Sequence, residues 1–171
     1  MNPTLRRHLK LLRTSTSSDA DIHALELYAR HLESSGNEAH AVLVRYGAAN
    51  ARQRSAVAKR HGPLLETARG RAASAVRTFL LPYVKAPQYL EIFYDRQQRL
   101  TIKVIRQKAL QSPRAMLNLD TAIKQSGIPH HTTEHPRAWN KVPRYNYRFP
   151  LFSLPALLLF LTDYHTTQST S

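Results

Sequence analysis

The stretch Gln88-Tyr89-Leu90-Glu91-Ile92-Phe93-Tyr94-Asp95-Arg96-Gln97-Gln98-Arg99-Leu100-Thr101-Ile102-Lys103-Val104-Ile105-Arg106-Gln107-Lys108-Ala109-Leu110-Gln111 decides whether this chain is purely helical or mixed. Tyr89, Leu90, Phe93 and Tyr94 recur at helical spacing, whereas Leu100, Ile102 and Val104 alternate like a half-buried strand. A strand needs a partner, and no other segment reads as one. The expectation is therefore a helix here.

Upstream the helical periods are clearer. Leu5, Leu9 and Leu12 share one face of a short basic helix over Thr4 to Arg13, with Arg6, Lys10 and Arg13 round its side. The hydroxyl run Thr14–Ser18 ends it. Ile22, Leu25, Ala29 and Leu32 stripe a second helix from about Asp19 to Ser34, which Gly36 stops. A third begins near Asn37, buries Ala39, Val42, Leu43 and Tyr46, and runs on Ala-rich sequence to about Arg60. Pro63 opens the next segment, whose inward face is Leu64, Leu65, Ala68, Ala72, Ala75, Val76 and Phe79. Downstream, Ser112-Pro113 caps a helix to about Ser126, with Met116, Leu117, Leu119 and Ile123 inward. Pro129, Pro136, Pro143 and Pro150 then recur with Trp139, Tyr145 and Tyr147 between them, and proline at that density prevents a regular helix. Phe149–Leu161 is apolar over 13 residues. A span needs roughly 20, so no transmembrane helix is expected.

The fold expected is mostly α, a small antiparallel helical bundle with an extended Pro/aromatic C-terminal strap. Residues 1–18 form a basic amphipathic N-terminus that also looks like a mitochondrial presequence. Residues 19–127 form the bundle, 128–150 the strap, and 151–171 a short apolar segment with a polar tail.

Charge narrows the function. The 171 residues carry a net charge of +14, and the pI is near 10.6. Between Ala39 and Leu90 the only acid is Glu66, against nine Lys and Arg; from Arg96 to Leu119 there is none. Solvated faces normally mix signs, so these stretches point to a polyanion or an acidic protein. Arg45, Arg52, Arg54, Lys59 and Arg60 are the candidate contacts. RNA fits as well, with Trp139, Tyr145 and Tyr147 as stacking candidates beside Arg137, Lys141, Arg144 and Arg148; the same rings would equally pin the strap to the core.

Catalytic chemistry finds little footing. Cysteine is absent, which excludes thiolate nucleophiles and cysteine-held metals. No Gly-rich phosphate loop occurs. His131, Glu134 and His135 have the spacing of an inverted zinc-protease motif, but Pro129 and Pro136 leave too little helix to present them, so a polar loop is expected and no metal is assigned. Glu91 and Asp95 beside Arg96 and Arg99 read as surface ion pairs. A non-catalytic protein is the expectation.

Leu5-Arg6-Arg7-His8-Leu9-Lys10-Leu11 resembles the start of the mitochondrial LYR-motif proteins, with Leu5 and Arg7 kept and Arg6 in the tyrosine position. Leu27-Tyr28-Ala29-Arg30 is a second, shifted echo. With Val42-Leu43, Tyr46-Gly47, Pro87-Gln88-Tyr89-Leu90 and Trp139-Asn140-Lys141-Val142-Pro143-Arg144, the layout resembles a divergent fungal branch of that family. The resemblance implies a helical adaptor or assembly factor of the mitochondrial matrix. It would bind the acidic acyl carrier protein and take that partner's acyl-pantetheine chain between its helices, with no other cofactor. The residues so implicated are Leu5, Arg6, Arg7, Leu9, Tyr28 and Arg30. The alternative is an RNA-binding or mitochondrial-ribosome-associated protein.

Overall fold

Leu5, Leu9 and Leu12 do what their spacing predicts: all three are buried on the inner side of α1 (Pro3–Arg13). The computed structural model describes residues 2–13, 19–105, 107–133 and 143–169. Opposite α1 stands α2 (Asp19–Ser34), which buries Leu25, Tyr28, Ala29 and Leu32 but leaves Ile22 51% exposed. Gly36, at φ +77°, ends it. The Asn37 N–H reaches the Leu32 carbonyl and the Gly36 N–H that of Glu33, the paired bonds of a left-handed helix stop.

The long third helix expected from Asn37 to Arg60 is instead two. α3 (Glu38–Ala48) stops at Ala49, and Asn50 caps α4 (Ala51–Leu80). The Asn50 side chain accepts from the Gln53 N–H while the Gln53 amide accepts from the Asn50 N–H, each at 3.0 Å. At His61 the backbone leaves helical geometry (φ −128°, ψ 22°), so α4 is two helices meeting at a kink, and Pro63 stands in the first turn of the second as expected. Proline lacks the N–H and crowds the carbonyl four residues back, which bends a helix without always ending it.

The decisive stretch folds as a hairpin, not a helix. β1 (Leu90–Tyr94) pairs antiparallel with β2 (Leu100–Ile105). Its missing partner is in the strap: β4 (Pro143–Phe149) pairs with β2 on the other side and carries β3 (His131–Thr132), giving the order β1-β2-β4-β3. Pro143 and Pro150 bracket β4 rather than interrupt it, and proline is tolerated at the first position of a strand. Tyr145, Tyr147 and Phe149 therefore join Leu90, Ile92, Leu100, Ile102 and Val104 on the core-facing side. Between hairpin and β3, α5 (Pro113–Gln125) starts at a Ser112 cap as expected; Leu117 is exposed while Met116, Leu119 and Ile123 are buried.

The apolar C-terminal run is α6 (Leu154–Ser169), with Pro155 in its permissive first turn. It packs on α1 and α4 and buries Leu154, Ala156, Leu157 and Leu161. No helix among the described residues is long and apolar enough to cross a membrane. The chain is thus mostly helical, with a small antiparallel sheet where an uninterrupted bundle was expected.

Candidate functional site

At the N-terminal end, Asn2 sets the first turn of α1. Its side chain accepts from the Thr4 N–H at 2.8 Å, and its own N–H donates to Asp163 of α6 at 3.2 Å. With the leucines inward, Arg6, Arg7 and Lys10 are exposed on the outer side of α1. Beside them a cleft of about 200 Å³ opens between α1, α2 and α6, lined among others by His8, His31, His40, Leu32, Leu158 and Leu159.

His8 is buried against Tyr28, with its Nδ1 and the Tyr28 hydroxyl 3.0 Å apart. Burial, with His31, His40 and Arg7 nearby, lowers its pKa to about 4. His31 is lowered by burial and by the Arg7 charge, and His40 by burial. The Arg7 guanidinium therefore stands close enough to the histidines to repel their protons. This wall of the cleft is neutral imidazole at ordinary pH, suited to apolar matter.

The sequence-derived contacts divide sharply. Arg6, Arg7, Arg52, Lys59 and Arg60 are exposed, and no described carboxylate pairs with them. Leu5, Leu9 and Tyr28 are core residues; Tyr28 has no exposed surface for a partner to touch. Arg45 is a structural clamp. It donates to Glu26 at 3.0 Å and also to Glu33, tying α3 to α2 and holding both carboxyls below their usual range. Arg30 shares Glu26 at 3.2 Å. Arg54 lies 5.8 Å from the centre of the Tyr46 ring and donates to the Tyr46 carbonyl. Because the helix breaks at Ala49, Arg45 does not continue into the face of Arg52, Lys59 and Arg60.

Other cations are also answered locally. Arg69 packs 4.4 Å over the Tyr94 ring and pairs with Glu66, and Arg77 donates to the Leu90 carbonyl, so both fasten β1 to α4. Tyr147, a stacking candidate, is buried and donates to Asp120 of α5. Trp139, Glu134 and His135 lie outside the described residues. His131 is exposed on β3, and among the described residues no three His, Asp or Glu gather as a metal site.

A second basic region lies around the β1–β2 turn, in the acid-free stretch that begins at Arg96, although the sequence assigned no site there. Two adjoining grooves of about 480 and 380 Å³ share Arg96, Gln97 and Arg99. The first adds Arg54 and His131; the second adds Phe93, Thr101, Lys103 and Arg148. The signal was the polar half of two alternations, Thr101 and Lys103 between Leu100, Ile102 and Val104, and Asn146 and Arg148 between Tyr145, Tyr147 and Phe149. Comparison with family models, curated proteins and solved structures gives no match.

Proposed function

We propose that this protein is a non-catalytic adaptor of the mitochondrial matrix, of the LYR type, that docks the acidic acyl carrier protein on the outer side of α1. The observation that supports this reading best is a cleft in which Leu32, Leu158, Leu159 and uncharged histidines stand among polar residues such as Thr4 and Asn37, with the Arg7 charge felt at His8 and His31. A carrier presents negative charge and an alkyl chain together. Arg6, Arg7 and Lys10 answer the charge, and the cleft answers the chain. Arg6 in the family's tyrosine position replaces a ring by a second cation, so the contact here is electrostatic. At about 200 Å³ the cleft is smaller than the ~300–1,000 Å³ usual for a small-molecule site, so it admits part of an alkyl chain as it stands.

Titration of acyl-loaded carrier protein into the full chain, followed by calorimetry, tests the reading. Arg6→Glu with Arg7→Glu is expected to weaken binding at least about tenfold, because like charges then face each other across the contact. Equal affinity for the double variant, or no binding by the native chain, refutes it.

A further inference from the structure

The outward face of the sheet carries a separate ligand signature, independent of carrier docking. Strand register places Phe93, Thr101, Arg148 and His131 in one row across all four strands. The neighbouring row is Glu91, Lys103 and Asn146. Phe93 is 40% exposed, and the Lys103 ammonium lies 5.0 Å from its ring centre. An exposed ring with a cation beside it on a pleated face is poor as core and good as a platform for a planar group.

Charge on this face is positive after local pairing. Asp95 is consumed by Arg99 at 2.9 Å and by the Gln97 and Arg99 N–H groups, and Glu91 stands 3.9 Å from Lys103. Arg54, Arg96 and Arg148 have no carboxylate partner among the described residues. Two buried polar atoms line the grooves without a hydrogen-bond partner among those residues: Thr101 Oγ1 in the second and Gln98 Oε1 in the first. Both atoms are closed off from solvent, so they belong to the floor of the grooves and are not contacts for a ligand. Gln98 is also held at φ +60°, a left-handed conformation that a side-chain-bearing residue adopts only where the turn requires it. The Asp95 bonds fix that turn and hold Arg96 and Gln97 out over the junction of the grooves.

We propose that this face binds single-stranded nucleic acid, with a base stacked on Phe93 and phosphates held by Arg54, Arg96, Lys103 and Arg148. A duplex hides its base faces, and an acidic peptide supplies charge but no plane for Phe93.

The test is fluorescence anisotropy of the full chain with a labelled uridine oligomer of about 12 nucleotides, within the ~4–16 that one small fold covers. Four phosphate contacts predict a slope of log K against log salt near −3. Phe93→Ala is expected to weaken binding roughly ten- to hundredfold while Phe93→Tyr stays near native, with both folds checked by circular dichroism. Arg96→Glu and Arg148→Glu each flatten the slope by about one. Arg114→Glu, the same charge change on α5, is expected to do little. The proposal is overturned if the oligomer does not bind at low salt, or if Phe93→Ala binds as the native chain does. It is equally overturned if Arg114→Glu costs as much as Arg148→Glu, or if polyglutamate competes as well as the oligomer.

Discussion

Single side chains decide two questions here, the pH response and the close approach of α3 to the chain before α6. His8, His31 and His40 sit at one cleft and are all held below the ordinary histidine value. As pH falls, the unfolded chain takes up protons first, so their contribution to stability is complete above about 6.5. It is then lost towards the folded value of about 4 for His8. Glu26 and Glu33, lowered chiefly by Arg45, lose theirs only below about 4.5, so the upper window belongs to the histidines. His8→Asn keeps an acceptor for Tyr28 and cannot charge. The urea midpoint of the native chain should fall more between pH 6.5 and 4.5 than that of His8→Asn, and parallel curves would contradict this assignment. Gly47 gives the second case. A Cβ there would lie 2.7 Å from the Phe152 backbone nitrogen and 3.1 Å from Leu151 Cβ. Replacing a helical glycine by alanine normally gains about 1 kcal/mol. Overpacking against backbone costs about 1–3 kcal/mol, so Gly47→Ala should lower the melting temperature. Gly70→Ala, in α4 with open space around it, should raise it.

Among elements, the helices were legible and the sheet was not. α1, α2 and α5 follow their apolar periods except at Ile22 and Leu117, and the Gly36 stop and Ser112 cap fall where expected, because these signals lie within each segment. The break at Asn50 was hidden because an N-cap shows only as Asn50 answering Gln53, within an otherwise Ala-rich run. For the hairpin, Leu100, Ile102 and Val104 already alternated, but the other half of the evidence lay some forty residues away in Tyr145, Tyr147 and Phe149. Proline spacing masked it. Pairing between distant segments is a tertiary fact that local periodicity does not carry. One bond fastens this sheet to its helix: Tyr147 on β4 donates to Asp120, which is 5% exposed and takes Lys124 at 2.8 Å on its other oxygen. Burial and the Asp120 charge raise the Tyr147 pKa. Tyr147→Phe leaves the buried carboxylate one donor short. Chemical denaturation should show a loss of about 1–3 kcal/mol with the slope unchanged, and a loss below about 0.5 kcal/mol would show Asp120 satisfied elsewhere.

On the scale of the whole molecule, the sequence pointed correctly to a strongly basic, mostly helical chain but misplaced its free charge. Arg45, Arg69 and Arg77, prominent in an acid-poor stretch, are absorbed by Glu26, Glu33, Glu66, the Tyr94 ring and the Leu90 carbonyl. Cations without a described carboxylate partner remain on α4 at Arg52, Lys59 and Arg60, outside α1, and around the β1–β2 turn. The turn was illegible because it depends on which side of an unforeseen sheet Arg148 and Lys103 fall. The basic end proposed for docking was legible in part, since Leu5, Leu9 and Leu12 turn Arg6, Arg7 and Lys10 outward on any helix over these residues. Amide chemical-shift mapping of the labelled full chain with acyl-loaded carrier protein tests that end most directly. The account predicts shifts clustered at Arg6, Arg7, Lys10 and the cleft residues His8, His31, His40 and Leu158. Shifts confined to the sheet face, or none at saturating carrier, would contradict it.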